Sequence, residues 1–309
     1  MKIVFMGSAE FGIPALEQIM KDHTVAAVVS TPPRRKGRGL KLFDSPVSTF
    51  AQNHNLHPVL TPENLKSPDF IAQLKSFNAD LFVVVAFRIL PREIFTIPCL
   101  GTLNIHASLL PRYRGAAPIQ RAIEAGERET GITIFRIDEG IDTGEILAQK
   151  STPIDPSETT PLLYERLCHM GAELLGETLN RIGSEDIRPL EQNPHQATKA
   201  PKLRREEAHI DWNLDAQSIF NKIRAFRPFP GTYALFGDSR LGIEWASPVD
   251  QDCDDASPGS ICRVSREFFD VQCGKGLLRV SKVKPEGRKT MEVRAFLLGT
   301  KLSEGTLLR

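Results

Sequence analysis

The run Leu81–Ala86, LFVVVA, contains no polar side chain and is built mostly from β-branched and aromatic residues. A run of that composition suits the centre of a parallel sheet, apolar on both faces and covered by helices on each. The chain around it agrees. Lys2–Met6 is a short apolar run ending at Gly7, Ile13–Met20 is amphipathic, and Val25–Ser30 is apolar again, which reads as strand, helix, strand. Pro46–Asn55 and Ser67–Phe77 have the spacing of helices, Val59–Leu60 is a short strand, and Gly101–His106 and Ile132–Ile137 are further strands. Thr159–Ile182 reads as one long helix, with Leu162, Leu163, Leu167, Leu174, Leu175 and Leu179 at helical spacing. The expectation is an α/β fold whose parallel-sheet domain occupies residues 1–189.

After about residue 183 the texture changes. Gly183–Arg205 is polar, proline-containing and without periodicity, so residues 190–207 are expected to link two domains. A helix over Leu214–Ala225 follows, then five short strands: Thr232–Phe236, Leu241–Ala246, Ile261–Val264, Phe268–Cys273 and Leu277–Val283. Strands this short and close suit a small barrel or sandwich over residues 208–309.

Composition excludes several classes. Net charge is +1, so nucleic-acid binding would have to come from local patches rather than from the molecule as a whole. The five cysteines, Cys99, Cys168, Cys253, Cys262 and Cys273, form no CxxC pair, and the histidines show no HExxH spacing, so neither a disulfide framework nor a metal is expected. The apolar run at the N-terminus is too short for a signal peptide, and no stretch approaches a membrane span, so a cytoplasmic location is expected. Gly7 and Gly12 follow the first strand, but Ala9 stands where a dinucleotide fingerprint has its second glycine, which disfavours nicotinamide chemistry.

The residues with chemistry to offer lie in the middle. Asn104 and His106 are two apart, so on an extended chain they point the same way. Asp142 follows the next strand, in DEGIDTG, with Gly140 and Gly144 on either side to allow a tight turn. An amide, an imidazole and a carboxylate suit acyl transfer to an amine: the amide and imidazole can donate to a developing oxyanion, and the imidazole can move protons near neutrality. A histidine at a strand end is also often purely structural, and spacing alone leaves both readings open. The basic run Arg34, Arg35, Lys36, Arg38 and Lys41, threaded with Gly37 and Gly39, is free of acids until Asp44. It is either a solvated loop or a flexible segment that orders on RNA. Lys282, Lys284, Arg288 and Lys289 are likewise either a phosphate-tracking face or ordinary surface charge.

The ordered set Asn104–Ile105–His106, SLLP at 108–111, RYRGAAPIQRAI at 112–123, ETGITIF at 129–135 and DEGIDTG at 138–144 resembles the folate-dependent formyltransferase family. The resemblance implies a Rossmann-like first domain and an OB-like barrel as the second. It implies Asn104, His106 and Asp142 as the catalytic residues and 10-formyl-tetrahydrofolate as co-substrate, with no metal. Ser108, Leu109, Leu110 and Pro111 would lie against the folate, with Arg88, Ile89 and Leu90 in its pocket wall. Here the chain departs from the family, for AFRILP is one residue short and lacks a Tyr-Gly. Tyr113 and Arg114 are placed near the amine substrate. PPRRKGRGLKL at 32–42, KLRREEAHIDW at 202–212 and IRAFRPFPGT at 223–232 resemble the members that formylate methionine carried by initiator tRNA, although Leu40 stands where those members have a lysine. The partners implied are therefore initiator Met-tRNA and folate, with Arg34, Arg35, Lys36, Arg38, Lys41, Lys282, Lys284, Arg288 and Lys289 on the tRNA, and the chain acting as a monomer away from membranes. Members acting on amino sugars share the catalytic set but do not need the basic loop or the barrel.

Overall fold

A computed structural model describes residues 1–36, 41–184, 186–251, 253 and 255–309, with the side chains of Lys36 and Lys41 left aside. The chain divides into two units. One comprises Met1–Pro118, Glu129–Pro153 and Tyr164–Ala200, and the other Ile119–Arg128, Ile154–Leu163 and Pro201–Arg309.

The first part of the chain alternates strands and helices. β1 (Lys2–Gly7), α1 (Ile13–Asp22) and β2 (Thr24–Val29) lead to a hairpin of β3 (Arg34–Lys36) and β4 (Lys41–Phe43). α2 (Pro46–Asn53), β5 (Val59–Leu60), α3 (Pro68–Ser76), β6 (Leu81–Val85), α4 (Arg92–Phe95) and β7 (Thr102–His106) follow. Then come α5 (Pro118–Glu124), β8 (Glu129–Arg136), β9 (Ile146–Pro153) and the long α6 (Thr160–Gly183). Local chemistry sets the helix starts. α2 begins with Pro46 just after Ser45, whose hydroxyl accepts from the Ser48 amide at 3.0 Å.

The strands form one sheet in the order β5-β2-β1-β6-β7-β8-β9. From β5 to β7 every pairing is parallel, and β6 sits at the centre with all five residues buried, as its composition requires. β8 and β9 then add antiparallel, making the sheet mixed. β9 had no counterpart among the strands expected. It is an edge strand whose outer residues are exposed, so it lacks the apolar pattern of its neighbours. Alternate side chains serve two layers. Val4, Met6, Phe82 and Val84 pack with Phe70, Leu74 and Ile94 of α3 and α4 on one face. On the other, Gly171 of α6 lies against Ile105 and Ile132, close enough that a Cβ there would sit 3.0 Å from Ile105. Chain order reverses between β1 and β6, which opens a crevice at the carboxyl ends of those strands.

The second unit contains α7 (Ala216–Ala225) and the strands β10 (Tyr233–Phe236), β11 (Ser239–Val249), β12 (Ile261–Val264), β13 (Phe269–Gln272), β14 (Leu277–Pro285) and β15 (Met291–Glu292), then α8 (Val293–Leu298). Asp215 caps α7 by accepting from the Ser218 amide at 2.9 Å. The sheet is an antiparallel half-barrel, β10-β11-β14-β13-β12, with β15 on β14, around Ile219, Phe220, Ile223, Phe269 and Val280. Phe236, on β10, pairs with Leu308, and Ser260, next to β12, pairs with Leu307, so the last residues of the chain lie between the two edges.

Candidate active site

β7 presents Asn104 and His106 on the sheet face away from α6. Asn104 is in register with Val84 and Phe135, and His106 with Thr133. His106 is buried, at 6% exposure. Its Nε2 lies 2.9 Å from the Tyr113 carbonyl and its Nδ1 3.6 Å from Asp142 Oδ2. A carbonyl only accepts, so Nε2 is the donor there, and Nδ1 is the atom left to face the carboxylate. The Asn104 amide has no hydrogen-bond partner among the described residues. The sequence groups these three side chains at one site, and the structure brings Asp142, from the turn between β8 and β9, to ion-pair distance of His106 on the strand that carries Asn104.

Two strained turns make this possible. Asp142 has φ 55° and Tyr113 φ 60°, left-handed values that a residue other than glycine adopts only when its surroundings hold it there. Asp142 Oδ2 accepts from the Gly115 amide at 2.8 Å. Gly115 has φ 126°, and a Cβ there would sit 2.6 Å from the Ala200 carbonyl, so only glycine fits. Thr198 Oγ1 accepts from the Tyr113 amide at 2.8 Å, the Arg114 amide donates to the Thr198 carbonyl at 2.8 Å, and the Ala200 amide donates to the Arg114 carbonyl at 2.6 Å. Gln192 donates to the carbonyls of Asp142 and Gly144 and accepts from Arg114. Residues 192–200, in the stretch expected to be a linker, thus run along 111–117 within the first unit.

The SLLP segment is held from beneath. Thr133 Oγ1 donates to the Ser108 carbonyl at 2.6 Å and accepts from the Leu110 amide at 3.0 Å. Gln149 Nε2 donates to Thr133 Oγ1 and to the Leu110 carbonyl. Ser108 donates its hydroxyl to the Arg112 carbonyl at 2.7 Å, and both Ser108 and Leu110 are buried. Leu109 and Pro111 are the members of the segment left half-exposed.

Arg88, Ile89 and Leu90 follow Ala86, which has φ 48° and accepts from the Ser8 hydroxyl at 3.0 Å across the crevice. They line a depression of about 600 Å³ with Asn64, Leu65 and Lys66. Arg88 donates to the carbonyls of Pro62 and Glu63, and its buried Nε has no partner among the described residues. Burial, and then the charge of Arg34, push the Arg88 guanidinium below the ordinary arginine range. Ile89 is exposed and Leu90 buried.

Arg34 and Arg35 are exposed on β3. Arg38 lies outside the described residues, as do the side chains of Lys36 and Lys41. In the second unit Lys284, Arg288 and Lys289 are exposed, while Lys282 pairs with Glu292 at 3.0 Å, a surface contact that partly neutralises it. Among the described residues no three His, Cys, Asp or Glu side chains are grouped to hold a metal, and no helix is long and apolar enough to cross a membrane.

Thr133, Gln149, Gln192 and Gly115 were not singled out from the sequence. For Thr133 a signal existed, a polar residue between the apolar Ile132 and Ile134–Phe135. Gln192 had none, because its neighbours show no periodicity.

Comparison with known proteins places this geometry. Residues 1–179 match the model of the formyl transferase family, and residues 202–301 match that of the formyl transferase C-terminal domain. The methionyl-tRNA formyltransferase of Caldanaerobacter subterraneus subsp. tengcongensis is 41% identical over 312 residues, covering 100% of both chains. Among solved structures, the methionyl-tRNA formyltransferase from Clostridium thermocellum superposes with a TM-score of 0.55 at 19% identity, over 80% of this chain and 93% of that one. WlaRD, a sugar 3N-formyl transferase solved in the presence of dTDP and 5-N-formyl-THF, gives a TM-score of 0.68 at 20% identity, over 94% and 99% of the two chains. At such identities the structures speak for the fold.

Proposed function

The chain belongs to the formyl transferase family, and from that premise we propose that it transfers the formyl group of 10-formyl-tetrahydrofolate to the amino group of methionine on initiator Met-tRNA. The observation that carries this reading is the His106–Asp142 pair at 3.6 Å, its histidine on the strand that presents the unpartnered Asn104 amide. The co-substrate supplies an activated formyl carbon. The residues present fit it: the half-exposed Leu109 and Pro111 and the depression beside Arg88–Leu90 offer apolar surface for a ring system. The Asn104 amide donates to the formyl oxygen as negative charge builds there during attack by the amine. His106 and Asp142 hold the proton that the amine nitrogen gives up, and return one to the departing folate nitrogen, so that one N–C bond forms and one breaks. The pair is also positioned by the Tyr113 carbonyl and the Gly115 amide, which limits the reorganisation needed at the moment of reaction.

Full-length identity to a methionyl-tRNA formyltransferase favours tRNA over an amino sugar as the amine. The basic run at 34–41 and the exposed Lys284, Arg288 and Lys289 suit phosphate contacts by the same reading, with the catalytic set in residues 1–189, residues 192–200 packed onto that part rather than linking it, and 208–309 binding tRNA. The chain would act as a cytoplasmic monomer. The test is transfer of labelled formyl to Met-tRNA and, separately, to a dTDP-linked amino sugar, with His106→Ala as control. Transfer to the sugar alone overturns the substrate, and full activity of His106→Ala overturns the mechanism. Arg38→Ala should raise the KM for Met-tRNA and leave that for folate unchanged; unaltered tRNA kinetics would remove the loop from the binding surface.

A further inference from the structure

We infer that Gln192 is a positioning residue for this reaction, acting by holding the Asp142 turn against the Tyr113–Gly115 turn. The inference rests on the proposed roles of His106 and Asp142. The left-handed backbone of Asp142 is disfavoured in an L-residue and persists because its surroundings hold it. Gly115 holds the side chain. Gln192 holds the main chain, with Nε2 donating to the Asp142 carbonyl at 3.0 Å and to the Gly144 carbonyl at 2.8 Å. Gln192 Oε1 accepts from Arg114 Nε at 3.1 Å and Nη2 at 2.6 Å.

The amide orientation admits no alternative, because arginine only donates and carbonyls only accept. Both protons and both lone pairs of this amide are therefore committed. Its two ends grip the two segments that carry the partners of His106: Tyr113, whose carbonyl meets Nε2, and Asp142, whose carboxylate faces Nδ1. Among the described residues no other side chain both donates to the Asp142 turn and accepts from Arg114. A carboxylate could accept from Arg114 but would set an oxygen against two carbonyls, and a basic side chain could not accept at all. A small shift of Asp142 relative to His106 follows from either change.

The experiment compares Gln192→Glu, Asp142→Asn and the double variant in the full chain, with substrate kinetics and thermal unfolding. Gln192→Glu should lower kcat by about 100-fold while both KM values move less than about threefold, since what is lost is orientation rather than binding. In the Asp142→Asn background the same substitution should cost nothing further, because a residue that acts through Asp142 has nothing left to position. A purely structural role predicts instead that the two losses add, and that result overturns the inference. So does wild-type kcat in Gln192→Glu while Asp142→Asn is impaired. An active Asp142→Asn overturns the reading of the site itself, and the inference with it. Should Gln192→Glu fail to fold, Gln192→Met carries the same readouts without a charge.

Discussion

Replacing Thr133 by valine should destabilise the first unit more than replacing it by serine, the reverse of the order expected from hydrophobicity. Thr133 is wholly buried, and its hydroxyl serves three partners: the Ser108 carbonyl at 2.6 Å, the Leu110 amide at 3.0 Å and Gln149 Nε2 at 2.9 Å. Valine keeps the shape and removes the hydroxyl. Gln149 retains the Leu110 carbonyl at 2.8 Å, but the Ser108 carbonyl and the Leu110 amide are left without partners in a site water does not reach. Each orphaned group costs about 1–3 kcal/mol, so Thr133→Val should lose about 4 kcal/mol, less about 1 kcal/mol for the methyl gained. Thr133→Ser keeps the hydroxyl and loses a methyl, for about 1 kcal/mol. Urea unfolding of the two variants gives the order, and hydrogen exchange at the Leu110 amide locates the damage. Loosening the segment should also raise the KM for folate in the valine variant alone. A valine variant as stable as the wild type, or more stable than the serine variant, would refute the claim that this hydroxyl holds the SLLP segment.

Gly144→Ala would drive a methyl into the Arg136 carbonyl, so the turn at 138–144 must move; about 2 kcal/mol of stability and most of kcat should be lost together, as thermal unfolding and steady-state kinetics would register. Asp215→Ala removes the cap of α7 and should cost about 1 kcal/mol in urea unfolding at pH 7. The side-chain hydroxyl and backbone amide of Ser218 hold the Asp215 carboxyl below its ordinary range. A depressed carboxylate stabilises above its unfolded value and loses that contribution as pH falls through the folded one. The gap between wild type and Asp215→Ala should therefore be full at pH 7 and shrink below about pH 4; a gap unchanged at pH 3 would remove the ionised cap from the explanation.

What could be read from the sequence follows from where the signals come from. The buried run at β6 and the strand–helix alternation around it are apolar patterns, and those are what periodicity reports. β9 is half-exposed at an edge, and β3 and β4 are three residues each with four of the six charged, so neither stands out as a strand. The closure of the second sheet depends on Leu307 and Leu308, whose role is set by backbone pairing with residues far away in sequence. At the site, the spacing of Asn104 and His106 was visible because a strand maps sequence directly onto one face. Gln192, Thr198 and Ala200 act through single polar or backbone bonds to a segment some 80 residues earlier, and such bonds leave no periodic trace.

The run of residues 192–200 along 111–117 has a consequence for how the protein comes to life on the ribosome. Gln192 follows Arg114 by 78 positions. At about 5–20 residues per second, roughly 4–17 s separate the synthesis of His106 from that of Gln192, 86 positions later. The strands β1 to β9 and the helix α6 all precede Gln192 in the chain, so on the proposed role of this glutamine the sheet is made before the site is tied down. On the proposed role of Gln192, a fragment ending at residue 189 would contain Asn104, His106 and Asp142 without the amide that orients Asp142, and its kcat should fall at least as far as that of Gln192→Glu. By that role, full activity waits until the chain returns to tie down a turn it built much earlier.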